Sequence, residues 1–204
     1  MDKIVEKIVS IFYRNSIVND DNIDVVRYGM EIVLLKVLFF LTILLIGVIT
    51  NNVVNIFVFM LFYKPLRTYA GGYHAKTRIG CYFVSVLMLF LFLISVKLIS
   101  MFDVLINAIY IVAIISGVTI WILAPVETSN KPLDAAEKCR YRLISRIILL
   151  VEFFVGGLCL ILNLHIFSLS IALVFTFTGF FLFLCHIQEG IRLAFGKTEA
   201  NIID

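Results

Sequence analysis

Apolar residues arrive along this chain in long blocks separated by short polar breaks. Stretches without a charged side chain run over 37–63, 79–96, 104–126 and 153–188. A helix that crosses a bilayer needs about 20 mostly apolar residues. The second and third blocks therefore make one span each. The first and last are too long for one, and each is interrupted, by "TNNVVN" at 50–55 and by "NLH" at 163–165. Each of these two reads as a helical hairpin. The predicted spans are 30–50, 53–69, 80–98, 104–125, 145–163 and 166–188. The expected fold class is all-α: a polytopic integral membrane protein with six transmembrane helices.

Ahead of the first span the pattern changes. Ile4, Val5, Ile8, Val9, Ile11 and Phe12 crowd one side of a helix, with Lys3, Glu6, Lys7 and Ser10 on the other. This predicts an amphipathic interfacial helix, held by apolar burial and by attraction to anionic lipid. Packing against the ends of the spans fits the pattern equally well. "SIVNDDNIDVVRYG" then reads as a connector, with Asp20 to Asn22 capping the next helix. The chain is expected to form one membrane-embedded domain over 1–204. Its parts are an arm at 1–26, a six-helix core at 27–188 with the chemically suggestive segment at 64–81, and a tail at 189–204.

Composition supports the membrane reading. The chain has 204 residues, 62% of them hydrophobic and only 15% charged, with a mean hydropathy of +1.07. Ordinary soluble domains are about half apolar and a quarter charged. A net charge of +3 is too small to imply a nucleic-acid partner. The distribution of that charge says more. Of 17 Lys and Arg, only Lys97 falls on the side opposite the others when six spans are counted. Cations collect in cytoplasmic loops, so both termini are expected in the cytoplasm. The opening residues carry acids and spaced charges with no small-residue cleavage site, so a cleaved leader is not expected.

Four cysteines make no CxxC pair and no metal-finger spacing. Cys159 and Cys185 lie in apolar runs, where cysteine acts as a small hydrophobe. Cys139 sits in a stretch read as a basic loop. Cys81 is different. It belongs to "YKPLRTYAGGYHAKTRIGCYF" at 63–83, a polar, Gly-broken segment inside an otherwise apolar chain. Pro65 is expected to kink or end the second span there, and Gly71 and Gly72 permit the turn that follows. A helix restarting near Gly80 would place Cys81 in its first turn, where the helix dipole, Lys76 and Arg78 favour a thiolate.

His74 is the histidine near that cysteine. On an unbroken helix the two would stand about 10 Å apart, so the Gly pair must fold His74 back if it is to act as general base. Backbone N–H groups at the helix start would then serve an oxyanion. Spacing alone leaves a second reading open, a headgroup-level histidine beside an ordinary lining cysteine. With no acid or second histidine close by, neither a metal site nor any other cofactor is expected.

Other polar residues carry weaker suggestions. Glu127, just past Pro125, is a candidate third member that orients His74. Glu152, expected inside a span, reads as a structural partner of Arg146 or Arg142, or as a functional acid. Lys131, Lys138, Arg140 and Arg142 are candidates for holding an acidic peptide tail, or for fixing topology on anionic lipid. Arg67 is a candidate for pairing with a substrate carboxylate or bridging phosphate.

"RTYAGGYHAKTRIGCY" resembles the signature of the AgrB family, the membrane cysteine endopeptidases that process cyclic-peptide quorum-sensing precursors in Gram-positive bacteria. The shared positions are Arg67, Gly71, Gly72, His74, Ala75, Lys76 and Cys81. "APVETSNKPLDAAEKCRYR" at 124–142 is similar to the family's second recurrent patch. The resemblance implies the cell membrane of a Gram-positive bacterium, an AgrD-like propeptide as substrate, and a homodimer. It implies a Cys81 thioester, with His74 activating the thiol, after loss of the propeptide's acidic C-terminal tail. An internal thiol or hydroxyl of the peptide then closes a thiolactone or lactone ring. The competing classes are a peptide transporter or export channel without proteolysis, and a non-catalytic signalling scaffold.

Overall fold

The computed structural model describes residues 2–15, 18–72, 77–127 and 133–203. Among these the chain is helical, with an isolated backbone bridge between Gly71 and Val126. In chain order the helices are α1 Asp2–Arg14, α2 Ile23–Ile49, α3 Val53–Ala70, α4 Arg78–Ile99, α5 Asp103–Leu123, α6 Ala135–Ile161 and α7 His165–Ile203. They divide into two compact units, 1–51 and 52–204.

In the first unit α1 is the expected amphipathic helix. Val5 and Val9 are buried while Ile4 and Ile11 stay exposed, and α1 packs on α2. A 3-10 turn at Asp20–Asn22 leads into α2, and no side-chain cap bond forms at Asn22. The expected side-chain cap is thus replaced by a backbone turn. α2 starts at Ile23, earlier than the predicted residue 30, because Asp24 and Arg27 pair at 3.0 Å and carry the helix through its polar start. It ends at Ile49, and just beyond it Asn51 takes a left-handed φ of 54° that asparagine tolerates.

In the second unit α7 is the axis, and α3, α4, α5 and α6 all pack on it. Ile171, Leu173, Val174, Leu182 and Cys185 are buried along it. Lipid chains are as apolar as leucine, so helices in a bilayer associate through close packing rather than a hydrophobic drive. The α5–α7 seam shows this. A Cβ on Gly179 would stand 2.7 Å from Ser116 Cβ and 3.0 Å from Ser116 backbone. Between α3 and α4 the packing is aromatic: Phe59, which stacks on Tyr63 of its own helix at 4.9 Å, stacks on Phe92 of α4 at 4.2 Å. Asn163, with φ of 59°, turns α6 into α7, and this is the predicted "NLH" break.

Among the described residues, five helices are long and apolar enough to cross a membrane: α2, α4, α5, α6 and α7. α3 is not among them. It has 18 residues, and Lys64, Arg67 and several polar side chains dilute it. The count of six spans needs α3 as well, and is taken up below. Further boundaries differ from the sequence expectation, among them the end of α7, which runs as helix to Ile203 past the predicted residue 188. α3, Val53–Ala70, matches the predicted 53–69 and runs through Pro65, which does not end it. α6 begins at Ala135, ten residues ahead of the predicted 145, because Asp134 and Glu137 form a reciprocal capping box. Cys139 consequently lies exposed on α6, not in a loop.

Candidate functional site

Cys81 occupies the first turn of α4, as its spacing predicts. Thr77 caps that helix, and its hydroxyl accepts from Gly80 N–H at 3.0 Å. The Thr77 carbonyl accepts from Cys81 N–H, also at 3.0 Å. Two of the turn's donors are therefore taken, which leaves at most those of Arg78 and Ile79 for an incoming anion. Cys81 is a free, half-buried thiol.

The last turns of α3 stand beside it. Tyr63 feels both the Arg67 guanidinium and the Cys81 sulfur, and hydrogen-bonds Arg67. The Arg67 guanidinium carbon lies 5.8 Å from the Tyr63 ring centre. From α7, Cys185 lies within electrostatic reach of Arg67 and Glu189. Tyr63 and Arg67, one turn apart on α3, are thus within electrostatic reach of Cys81 on α4 and Cys185 on α7 respectively.

The Gly pair is fixed by its surroundings. Gly71 has φ of 85° and ψ of −157°, a region essentially reserved for glycine. A Cβ there would meet Val126 carbonyl oxygen at 2.5 Å, and a Cβ on Gly72 would meet Arg67 Nη1 at 2.7 Å. Val126 N–H donates to Ala70 carbonyl at 3.1 Å. The end of α3 is thus tied by backbone to the strand-like stretch after α5. That tie brings Glu127, the residue after Val126, to the foot of the segment that holds His74.

His74 and Lys76 lie outside the described residues, as does Lys131. The Glu127 carboxylate pairs with Lys138 at 2.6 Å, so these two candidates engage each other. Arg140 and Arg142 are exposed on the first turns of α6. Tyr69 meets Tyr141 edge-to-face at 5.5 Å, bracing α3 against the same turns. Glu152 departs from its expectation. It is buried at 3% exposure, and its carboxylate oxygens have no hydrogen-bond partner. Arg146 turns instead to Trp121, donating to its carbonyl at 3.3 Å with the guanidinium 4.7 Å from the ring centre. The aromatic ring and a free helix-end carbonyl outcompete a carboxylate that lies deeper in the helix bundle. Among the described residues no group of three His, Cys, Asp or Glu is placed to hold a metal.

Compared with known protein families, the chain matches the model of accessory gene regulator B, AgrB, over residues 4–182. The chain belongs to the AgrB family. Membership connects it with the processing of accessory-gene-regulator autoinducer peptides and implies a propeptide substrate; its apolar helices imply a membrane setting. No curated protein and no solved structure matches the chain. The matched range includes both the Cys81 segment and the 124–142 patch. In the structure these two stretches, far apart in sequence, meet at the Gly71–Val126 bridge.

Proposed function

We propose that the chain is a membrane cysteine endopeptidase that removes the C-terminal tail of a propeptide through a Cys81 thioester. Cys81 attacks the carbonyl at the junction of signal segment and tail. His74 takes the thiol proton and returns it to the leaving amine. An internal thiol or hydroxyl of the bound peptide then displaces Cys81, closing a thiolactone or lactone and restoring the free thiol. The observation that carries this reading is the placement of Cys81 at the positive end of α4, within electrostatic reach of Tyr63 on α3, in an AgrB-family chain. A helix start favours negative charge on sulfur and on the tetrahedral oxygen alike. Apolar surroundings keep water from the acyl-enzyme.

The same reading makes α3 a sixth span. Its 18 residues cover about 27 Å, close to the hydrocarbon thickness of about 30 Å, and Lys64 and Arg67 extend it by snorkelling. α3 packs along α7, as α4, α5 and α6 do. Six spans put both termini and the Cys81 end at the cytoplasmic face, where the exposed Arg140 and Arg142 meet an acidic tail. Glu127, held by Lys138, acts on His74 only if that pair opens.

The test is chemical. With iodoacetamide, half-buried Cys81 should alkylate at least about tenfold faster than exposed Cys139, because reactivity follows thiolate character. His74→Ala should remove the advantage. Cys81→Ser and His74→Ala should each abolish tail removal from a co-expressed propeptide, read by mass spectrometry. Full processing by Cys81→Ser would overturn the proposal and leave the transporter reading.

A further inference from the structure

Just below Cys81, α4 and α7 stand apart and leave a groove of about 260 Å³. Val84, Met88 and Leu91 line it from α4, and Phe181, Leu184 and Cys185 from α7. At 100° per residue, Val84 lies about 60° and Met88 about 20° around α4 from Cys81. Helical side chains lean toward the helix N-terminus, so both tilt toward the Cys81 turn. The groove's mouth and the sulfur share one neighbourhood. Cys185, in the groove wall, is within electrostatic reach of Arg67, and Arg67 and Cys81 both act on Tyr63. Gln188 is the polar side chain on the lining.

Size and chemistry narrow the occupant. A pocket for a whole small ligand measures about 300–1,000 Å³, so this groove takes one or two side chains rather than a folded peptide. Its walls are apolar, while the cations of the site lie above it. An acidic tail is therefore kept out of the groove, and the acyl side of the cut bond is the part that fits.

We propose that the α4–α7 groove is an acyl-side specificity pocket, which takes the bulky apolar side chain of the residue whose carbonyl Cys81 attacks. This rests on Cys81 being the nucleophile. A large apolar residue before the cut would seat in the groove and hold its carbonyl at the sulfur. Glycine or aspartate there would leave the groove to lipid and the carbonyl unpositioned.

Two chloromethyl ketones test it on the full chain in lipid nanodiscs: N-acetyl-phenylalanyl and N-acetyl-glycyl. In each, sulfur displaces chloride and forms a thioether, and mass spectrometry reports the rate at each cysteine. The phenylalanyl probe should alkylate Cys81 about tenfold faster than the glycyl probe, the low end of what a hydrophobic pocket discriminates. Val84→Trp should bring that ratio close to one. Leu184→Trp, on the opposite wall and 43% exposed, should do the same with less risk to folding. Equal rates in the native chain, or a ratio unmoved in both variants, would overturn the pocket and mark the groove as filled by lipid alone. If Cys81 outpaces Cys139 with iodoacetamide but shows no side-chain preference, only the pocket falls. If it does not outpace Cys139, the nucleophile and the pocket fall together.

Discussion

α7 meets α5 and α4 by opposite means. Toward α5 it presents Gly179, and the backbone of Ser116 comes so close that no side chain fits between. Toward α4 it presents Phe181 and Leu184, which face Leu87, Met88 and Leu91 across a gap. In lipid nothing pushes two apolar faces together, so approach is governed by side-chain bulk and interdigitation. Small residues close one seam. Large ones on both sides hold the other open, and the open one begins one turn from Cys81.

The largest effect should come from breaking the closed seam. Gly179→Leu puts a branched side chain where even a Cβ stands 2.7 Å from its neighbour. Overpacking of this kind costs about 1–3 kcal/mol or more, and should appear as a large drop in the thermal midpoint of the detergent-solubilised chain. Gly71→Ala comes next. The only added atom meets the Val126 carbonyl, and the backbone conformation there costs a non-glycine residue about 1–3 kcal/mol. Circular-dichroism melts should show a smaller drop than Gly179→Leu, while Cys81 alkylation by iodoacetamide should slow, since the foot of its segment has moved. The smallest effect belongs to the open seam. Leu87→Ala removes a side chain that is 59% exposed, and should shift stability by less than about 0.5 kcal/mol. A Leu87→Ala loss as large as that of Gly179→Leu would erase the distinction between the two seams.

Much of the architecture was legible in the sequence because bilayer thickness makes span length a strict signal. The first charge-free block spans α2 and α3, the middle two are α4 and α5, the last spans α6 and α7, and Asn163 turns where the polar break predicted. Boundaries were less legible wherever a helix extends into water. The Asp134–Glu137 capping box was written in "DAAE", yet the basic residues around it drew the eye to a loop. Pro65 does not end α3, since a helix within a bundle tolerates proline when neighbouring groups meet the freed carbonyl. Cys81 in the first turn of its helix was readable from Gly80 and the polar segment before it. The convergence of Arg67, Tyr63 and Cys185 was not, because it depends on which helices pair. Glu152 was read as an ion-pair partner by helical spacing, but Arg146 had a nearer acceptor in the Trp121 carbonyl. The groove was illegible for the same reason as the convergence: it depends on how α4 and α7 are spaced where they meet.

The segment between α3 and α4 stands on two fixed feet. Gly71 is held to Val126, and Thr77 holds the first turn of α4. Changes of length therefore have unequal meaning along this stretch. A residue inserted between Gly72 and Thr77 lengthens a span between anchored ends. One inserted between Thr77 and Cys81 is absorbed by the helix, which swings the sulfur about 100° around the axis. The phase of four residues, more than their identity, sets where the thiol points around α4.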